Sequence, residues 1–159
     1  MQHMEQGFEY FSISNLDAGT CEQVLDAISD KLLQKGLIHD SFREAVKERE
    51  RLYPTGIKTL RCGVAIPHVE PEHVIKNTIC AVTLKQPVVF GEMGGDEADC
   101  VDVECLFVCL LNERDDRHKK TLARAMDILQ NAEDLDRIRN SVSDGEIQEV
   151  LAGYIGAGI

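Results

Sequence analysis

Two stretches of the chain are apolar at nearly every position, and they constrain its fold more than any other feature. They cover residues 78–84 and 103–111. A strand with one solvated face alternates apolar and polar side chains, whereas a strand covered on both faces is apolar throughout. Neither stretch reaches the roughly 20 residues that a membrane-spanning helix needs. We therefore expect two central strands of a sheet that other elements cover on both sides.

Helical segments precede these strands. Thr20-Cys21-Glu22-Gln23 fits a capping box at the start of a helix, and Gly36 supplies a left-handed residue at its end. Ser41-Phe42-Arg43-Glu44 predicts a second capping box, which opens a helix that continues past Arg49. The turn-forming residues Pro54-Thr55-Gly56 then end that helix.

Further strands and helices complete the pattern. Residues 8–13 predict a first strand at an edge of the sheet, and residues 86–90 predict a short separate strand before the turn Gly94-Gly95-Asp96. Apolar residues at helical spacing predict a helix over residues 122–129, a shorter one over residues 135–138, and a final helix opened by residues 143–146.

The order of elements is helices, then strands, then helices. With doubly buried central strands it predicts an α/β fold, a three-layer α/β/α sandwich whose central mixed sheet has about five strands and helices on both faces. The chain contains no internal repeat, low-complexity segment or linker. We therefore expect one domain over residues 1–159.

Charge excludes several classes of partner. The net charge is −11, whereas nucleic-acid binding needs clustered lysine and arginine, and so does docking on anionic lipid. We therefore expect no nucleic-acid partner and no direct membrane insertion. The first residues lack the basic and apolar parts of a signal peptide, which predicts a cytoplasmic protein.

The cysteines show no ligand spacing. None forms a Cys-x-x-Cys pair, so we expect reduced thiols with neither a metal nor a disulfide role. Cys105 and Cys109 lie four residues apart in a predicted strand, which places both on one face toward a core. The six cysteines are Cys21, Cys62, Cys80, Cys100, Cys105 and Cys109.

The candidate chemistry is centred on Gly63-Val64-Ala65-Ile66-Pro67-His68. The apolar run predicts a strand, and Pro67 ends it because proline has no N–H to donate to a sheet. His68 then lies at the mouth of the sheet, where an imidazole can act as a nucleophile or transfer a proton near neutral pH. An ordinary loop histidine gives the same local pattern, and a metal site built with Glu70 and Glu72 also stays open.

The chain lacks the glycine-rich motifs that hold nucleotides and the Gly-x-Ser-x-Gly motif of serine hydrolases. A neutral imidazole can instead attack a phosphoryl group, and an arginine can bind the phosphoryl oxygens through paired hydrogen bonds. The remaining candidates for such a site are Arg49, Arg51, Thr55 and His118. Taken singly, Arg49 among Glu48, Glu50 and Arg51 reads as a solvated helix surface, and His118 as part of a polar first helical turn.

Four segments in order nevertheless resemble the enzyme IIA domain of the sugar phosphotransferase system, in its fructose/mannitol superfamily. They are Lys47-Glu48-Arg49-Glu50-Arg51, Tyr53-Pro54-Thr55-Gly56-Ile57, the run that ends at His68, and His118 at the start of a helix. The resemblance covers residues 8–154. The Pro-Thr-Gly-Ile segment, the long run before Ala-Ile-Pro-His and the acidic Glu70 are most similar to the galactitol-type branch.

The resemblance implies a phosphocarrier in which His68 accepts a phosphoryl group from the carrier HPr and passes it to a cysteine of a IIB subunit. The IIC membrane subunit then moves and phosphorylates a sugar or polyol. Arg49 corresponds to the family arginine near the phosphohistidine and His118 to the second histidine, while Thr55, Pro67 and Glu70 support the site. Such a domain needs no cofactor and no metal.

Two alternatives remain at this point. A regulatory protein of the nitrogen type has the same fold and is phosphorylated on the same histidine, but it acts by binding other proteins. A metal-dependent enzyme would use His68, His73 and Glu70 as ligands.

Overall fold

A mixed sheet forms the centre of the protein. The computed structural model describes residues 3–5, 8–113, 116–141 and 143–155. Its sheet has six strands in the order β1-β2-β5-β6-β4-β3. The pairs β2–β5 and β4–β6 are parallel and the other three pairs are antiparallel. The strands are β1 (His3–Glu5), β2 (Phe8–Leu16), β3 (Ile57–Lys58), β4 (Gly63–Ala65), β5 (Asn77–Gly91) and β6 (Cys100–Leu110).

Helices lie on both faces of this sheet, which confirms the predicted three-layer sandwich. Helices α1 and α2 pack on one face, and α4, α5 and a 3-10 segment at Met126–Gln130 pack on the other. The helices are α1 (Cys21–Gln34), α2 (Phe42–Leu52), α3 (Asp116–Ala125), α4 (Ala132–Arg139) and α5 (Asp144–Ile155). Within the described residues, no helix has both the length and the apolar character that crossing a membrane requires.

The two cores follow from the alternation of side chains along the central strands. Leu106 and Val108 of β6 face the core beneath α1 and α2, whereas Cys105, Phe107 and Cys109 face the core beneath α4 and α5. All five are buried. The prediction that Cys105 and Cys109 share one face is therefore confirmed, and β6 is apolar because both of its faces are covered.

Two strand predictions are corrected. Residues 86–90 are not a separate strand, because β5 runs without interruption from Asn77 to Gly91. Its pairing with β6 shifts register between Thr83 and Val88. The extra residues form a bulge that contains Pro87, and the bulge accommodates a residue that cannot donate to the ladder. Residues 8–13, predicted as an edge strand, belong to β2. This strand is not at the edge of the sheet, because β1 pairs with its outer side.

The two predicted capping boxes have different outcomes. At α1 the Thr20 hydroxyl accepts a hydrogen bond from the Gln23 N–H at 3.2 Å, and Gly36 has a φ of +72°, as predicted. At α2 the prediction is wrong, since Ser41 forms no side-chain cap. Its hydroxyl lies 2.8 Å from Nδ1 of His73 instead, so the imidazole takes the place of the helix N–H as its partner.

The strand that leads to His68 is packed closely against its neighbour. A Cβ on Gly63 would lie only 2.1 Å from the Asp102 carbonyl oxygen. Glycine therefore permits the approach of β4 to β6. Strand β4 ends at Ala65, and His68 follows at the edge of the sheet where the parallel strand β6 also ends.

Candidate functional site

His68 follows strand β4 by three residues, and its side chain is half-buried. Nδ1 lies 3.0 Å from the carbonyl oxygen of Ile66. A carbonyl oxygen can only accept, so this hydrogen bond assigns the imidazole proton to Nδ1. In the neutral ring the free lone pair is then on Nε2.

The backbone that holds His68 is anchored by Thr55 and Glu50. The Ile66 N–H donates to the Thr55 hydroxyl oxygen at 3.0 Å. That hydroxyl donates to the Glu50 carboxylate, 2.9 Å from Oε1, and the Thr55 N–H donates to Oε2 at 2.7 Å. Thr55 and Glu50 are only 2% and 5% exposed. Ile66 therefore connects this buried pair to the imidazole, because its N–H donates to Thr55 and its carbonyl accepts from His68.

Burial raises the pKa of the Glu50 carboxyl above its ordinary value. The two hydrogen bonds from Thr55, and the positive charge of the His68 imidazole when it is protonated, act in the opposite direction and lower the pKa. The desolvation of the carboxylate is the larger effect. Glu50 is thus electrostatically coupled to the imidazole as well as connected to it by hydrogen bonds.

Arg49 anchors the other side of the His68 loop. Its Nη1 donates to Oε1 of Glu70 at 2.6 Å, and Glu70 lies two residues beyond His68. The guanidinium also lies over the Tyr53 ring, with Cζ 5.4 Å from the ring centroid. The Arg49 side chain is about one-third exposed, and its Nε is buried.

The turn that carries Thr55 is fixed by the end of the β5–β6 hairpin. The Gly56 N–H donates to the Gly91 carbonyl at 3.0 Å, and the Met93 N–H donates to the Gly56 carbonyl at 2.8 Å. A Cβ on Gly56 would lie 2.5 Å from the Gly91 oxygen. Only glycine fits this contact, which is a structural reason for the Pro54-Thr55-Gly56 sequence.

The remaining predicted site residues are placed as follows. Pro67 is buried and lies two residues after the end of β4. His118 lies in the first turn of α3, and its side chain is outside the described part of the structure. Helix α3 begins soon after β6 ends at Leu110. This end of β6 and His68 lie at the same end of the parallel pair β4–β6.

The proposed metal ligands are engaged elsewhere. Glu70 binds Arg49 and His73 binds Ser41. Among the described residues, no group of three or more histidine, cysteine or acidic side chains is arranged to hold a metal ion. The structure therefore gives the metal-dependent alternative no support.

Sequence reasoning missed Glu50. Its position between charged residues of α2 predicts a solvated helix surface, but the structure buries it against Thr55. The spacing of residues along α2 is the one feature of the sequence that indicates this burial. Glu50 is four residues from Val46, which α2 also buries, so both lie on the face of the helix that packs inward.

The fold and the site together define an α/β/α domain centred on a strand-end histidine beside an arginine-bearing helix. The chain belongs to the family described as "Phosphoenolpyruvate-dependent sugar phosphotransferase system, EIIA 2", whose model matches residues 9–154. The predicted family is thus confirmed.

Three relatives illustrate the similarity. The galactitol-specific EIIA component of Escherichia coli K12 is 26% identical over 133 residues, which are 84% of this chain and 86% of the relative. Enzyme IIA for mannitol from Escherichia coli, solved in complex with phosphorylated enzyme IIB, gives a TM-score of 0.67 at 22% identity and covers 89% of this chain and 94% of that one. The nitrogen regulatory protein IIA-Ntr from Neisseria meningitidis gives 0.67 at 22% identity, covering 91% and 92%.

Glu50→Gln tests the buried carboxyl. Because its pKa is raised in the folded state, Glu50 contributes stability that is fully present below the unfolded pKa, near 4.5, and is lost as pH rises through the folded pKa. We expect the unfolding free energy of the wild type to fall relative to that of Glu50→Gln as pH rises through this interval. Denaturant unfolding at a series of pH values measures the difference.

The control is Glu48→Gln, which removes an exposed carboxyl from the same helix. It should not reproduce the divergence between wild type and variant. A difference between wild type and Glu50→Gln that stays constant with pH would contradict the assignment.

Proposed function

We propose that this chain is a phosphocarrier that accepts a phosphoryl group on Nε2 of His68 from phosphorylated HPr. The observation that carries the proposal is the hydrogen bond from Nδ1 to the Ile66 carbonyl. It leaves Nε2 with the free lone pair, which is what a nucleophilic imidazole requires.

The proposed step exchanges one phosphorus–nitrogen bond for another. The Nε2 lone pair forms a bond to phosphorus while the bond to the donor imidazole breaks, and the donor nitrogen keeps that electron pair. His68 retains its Nδ1 proton, and the Ile66 carbonyl stabilises the positive charge that the ring develops. The oxygens of the transferred group carry negative charge throughout, so positioning and charge stabilisation dominate the catalysis.

Arg49 is the proposed cation for those oxygens. Glu70 fixes one end of the guanidinium. The buried Nε has no hydrogen-bond partner among the described residues. An unsatisfied guanidinium donor is costly in a buried position and favours the arrival of an oxyanion. Thr55, Pro67 and Glu70 are proposed to position the site, and His118 to be its second histidine.

The second half of the proposed function passes the phosphoryl group to a cysteine of a IIB subunit, which serves a IIC membrane transporter. The mannitol relative was solved with its phosphorylated IIB partner. Similarity to the galactitol-specific component supports a carbohydrate of the galactitol type as the transported substrate. Transfer between two proteins requires that the reacting group be accessible at the surface. His68 is partly exposed at the end of the sheet, which is consistent with this requirement.

His68→Ala tests the acceptor. Incubation of the wild type with radiolabelled phosphoenolpyruvate, enzyme I and HPr should give an acid-labile phosphoryl adduct, because phosphorus bound to an imidazole nitrogen hydrolyses in acid. The adduct should be absent in His68→Ala. His73→Ala is the matched control, five residues along the same segment, and should be labelled like the wild type. An unchanged adduct in folded His68→Ala would refute the proposal.

Arg49→Lys tests the cation. Lysine keeps the charge but cannot make paired hydrogen bonds to phosphoryl oxygens, so we expect the rate of labelling to fall by roughly 10²-fold. Arg51→Lys is the control, since Arg51 is exposed in the same helical turn. Rapid-quench labelling measures both rates. Equal rates for the two variants would contradict the assigned role of Arg49.

A further inference from the structure

Two cysteines that are distant in sequence meet on the face of the sheet beneath α4 and α5. Sγ of Cys62 lies 4.0 Å from Sγ of Cys105, within hydrogen-bonding distance for two thiols. Both residues belong to the same buried cluster, and Cys62 retains 7% exposure while Cys105 has none. The proposed phosphoryl transfer uses neither thiol.

The backbone brings these thiols together and holds them. Val64 of β4 pairs with Cys105 of β6, and Cys62 is two residues before Val64, so its side chain lies on the same face. Gly63 lies between Cys62 and Val64. Because glycine has no Cβ, β4 and β6 can approach closely at this position. A tight turn fixes Cys62, because the Thr59 hydroxyl donates to the Cys62 carbonyl at 2.7 Å and accepts from its N–H at 3.1 Å.

The two thiols have different acidities. The hydrogen bond from Cys105 lowers the pKa of Cys62, with help from the charge of Arg139 and from Thr59, while burial and Glu104 act against it. The pKa of Cys105 is raised well above its ordinary value by its hydrogen bond with Cys62 and by burial. Cys62 is therefore the thiol that reaches the thiolate form first, and the thiolate is the reactive species.

The remaining cysteines lack this arrangement. Burial raises the pKa of the half-buried Cys21 to about 12. It also raises the pKa of Cys109 to about 12, and it raises the pKa of Cys80. Their thiols lie 3.7 Å and 4.0 Å from the backbone carbonyls of Phe107 and Ala81. Cys100 is exposed, which makes it the thiol most accessible to bonds between molecules.

We propose that Cys62 and Cys105 form a reversible disulfide when the protein meets a peroxide. The Cys62 thiolate attacks one oxygen of hydrogen peroxide, giving a sulfenic acid and hydroxide. The Cys105 thiol then attacks the Cys62 sulfur, and water leaves. Together two thiols and one peroxide yield one disulfide and two waters, so the thiols are oxidised and the peroxide is reduced.

Bond formation requires movement of both the side chains and the backbone. The sulfur atoms must approach from 4.0 Å to the bonding distance of about 2.05 Å. Because Val64, and not Cys62, is the direct partner of Cys105, the two cysteines are diagonal neighbours, and the backbone before β4 must shift toward β6. The bond would tie the start of β4 to β6, and the other end of β4 leads to His68. The inference stands apart from the proposed function, because it depends only on the two thiols and their strands.

Peptide mapping after oxidation tests the inference directly. The reduced Cys100→Ser protein is treated with hydrogen peroxide, its remaining thiols are blocked with N-ethylmaleimide, and its digest is examined by mass spectrometry. Replacing Cys100 removes the most exposed thiol, which is the one most accessible to disulfides between molecules. We expect a linked Cys62–Cys105 peptide, the loss of two blockable thiols, and recovery of both after treatment with dithiothreitol.

Two alanine variants in the same background provide the matched comparison. Cys105→Ala should abolish the linked peptide and leave Cys62 as a sulfenic acid that dimedone traps. Cys109→Ala, at a buried position on the same face of β6, should keep the link. Circular dichroism confirms that each variant is folded. Recovery of Cys62 and Cys105 as separate blocked peptides after peroxide treatment of the Cys100→Ser protein would overturn the proposal.

Discussion

The last turn of helix α2 is the constraint on which the candidate site depends. Glu50 reaches Ile66 through the Thr55 hydroxyl, and Arg49 reaches Glu70 directly. Ile66 and Glu70 lie two residues before and two residues after His68, so consecutive residues of one helix hold the loop on both sides of the imidazole. Burying a carboxylate is costly unless donors satisfy it, and Thr55 supplies two. The loop is therefore fixed, while His68 itself remains half-exposed.

The sheet provides the rigid support that this arrangement needs. Strand β4 is only three residues long, but it lies between β3 and β6 and is buried throughout. The end of the β5–β6 hairpin holds the Thr55 turn through Gly56. The proposed exchange of a phosphoryl group with another protein needs an accessible nucleophile on a fixed support, and this geometry is consistent with both requirements.

Sequence patterns predicted what local physics determines. Doubly apolar strands predicted the covered sheet, Thr20 and Gly36 predicted the limits of α1, and Pro67 predicted the end of β4. They did not predict which partner each side chain would find. Ser41 binds His73 instead of capping its helix, and the turn at Thr55 buries Glu50. The contact between Cys62 and Cys105 of β6 has no signal in the sequence either. Such contacts depend on register and strand order, which hydrophobic periodicity does not determine.

In the proposed function, the Ile66 carbonyl holds the Nδ1 proton of His68 and leaves Nε2 as the phosphoryl acceptor. Nuclear magnetic resonance of the phosphorylated protein with ¹⁵N-labelled histidine tests it most directly, because coupling to phosphorus identifies the bonded nitrogen. We expect phosphorus on Nε2 of His68, with a proton retained on Nδ1. Phosphorus on Nδ1 of His68, or on another residue, would refute this assignment.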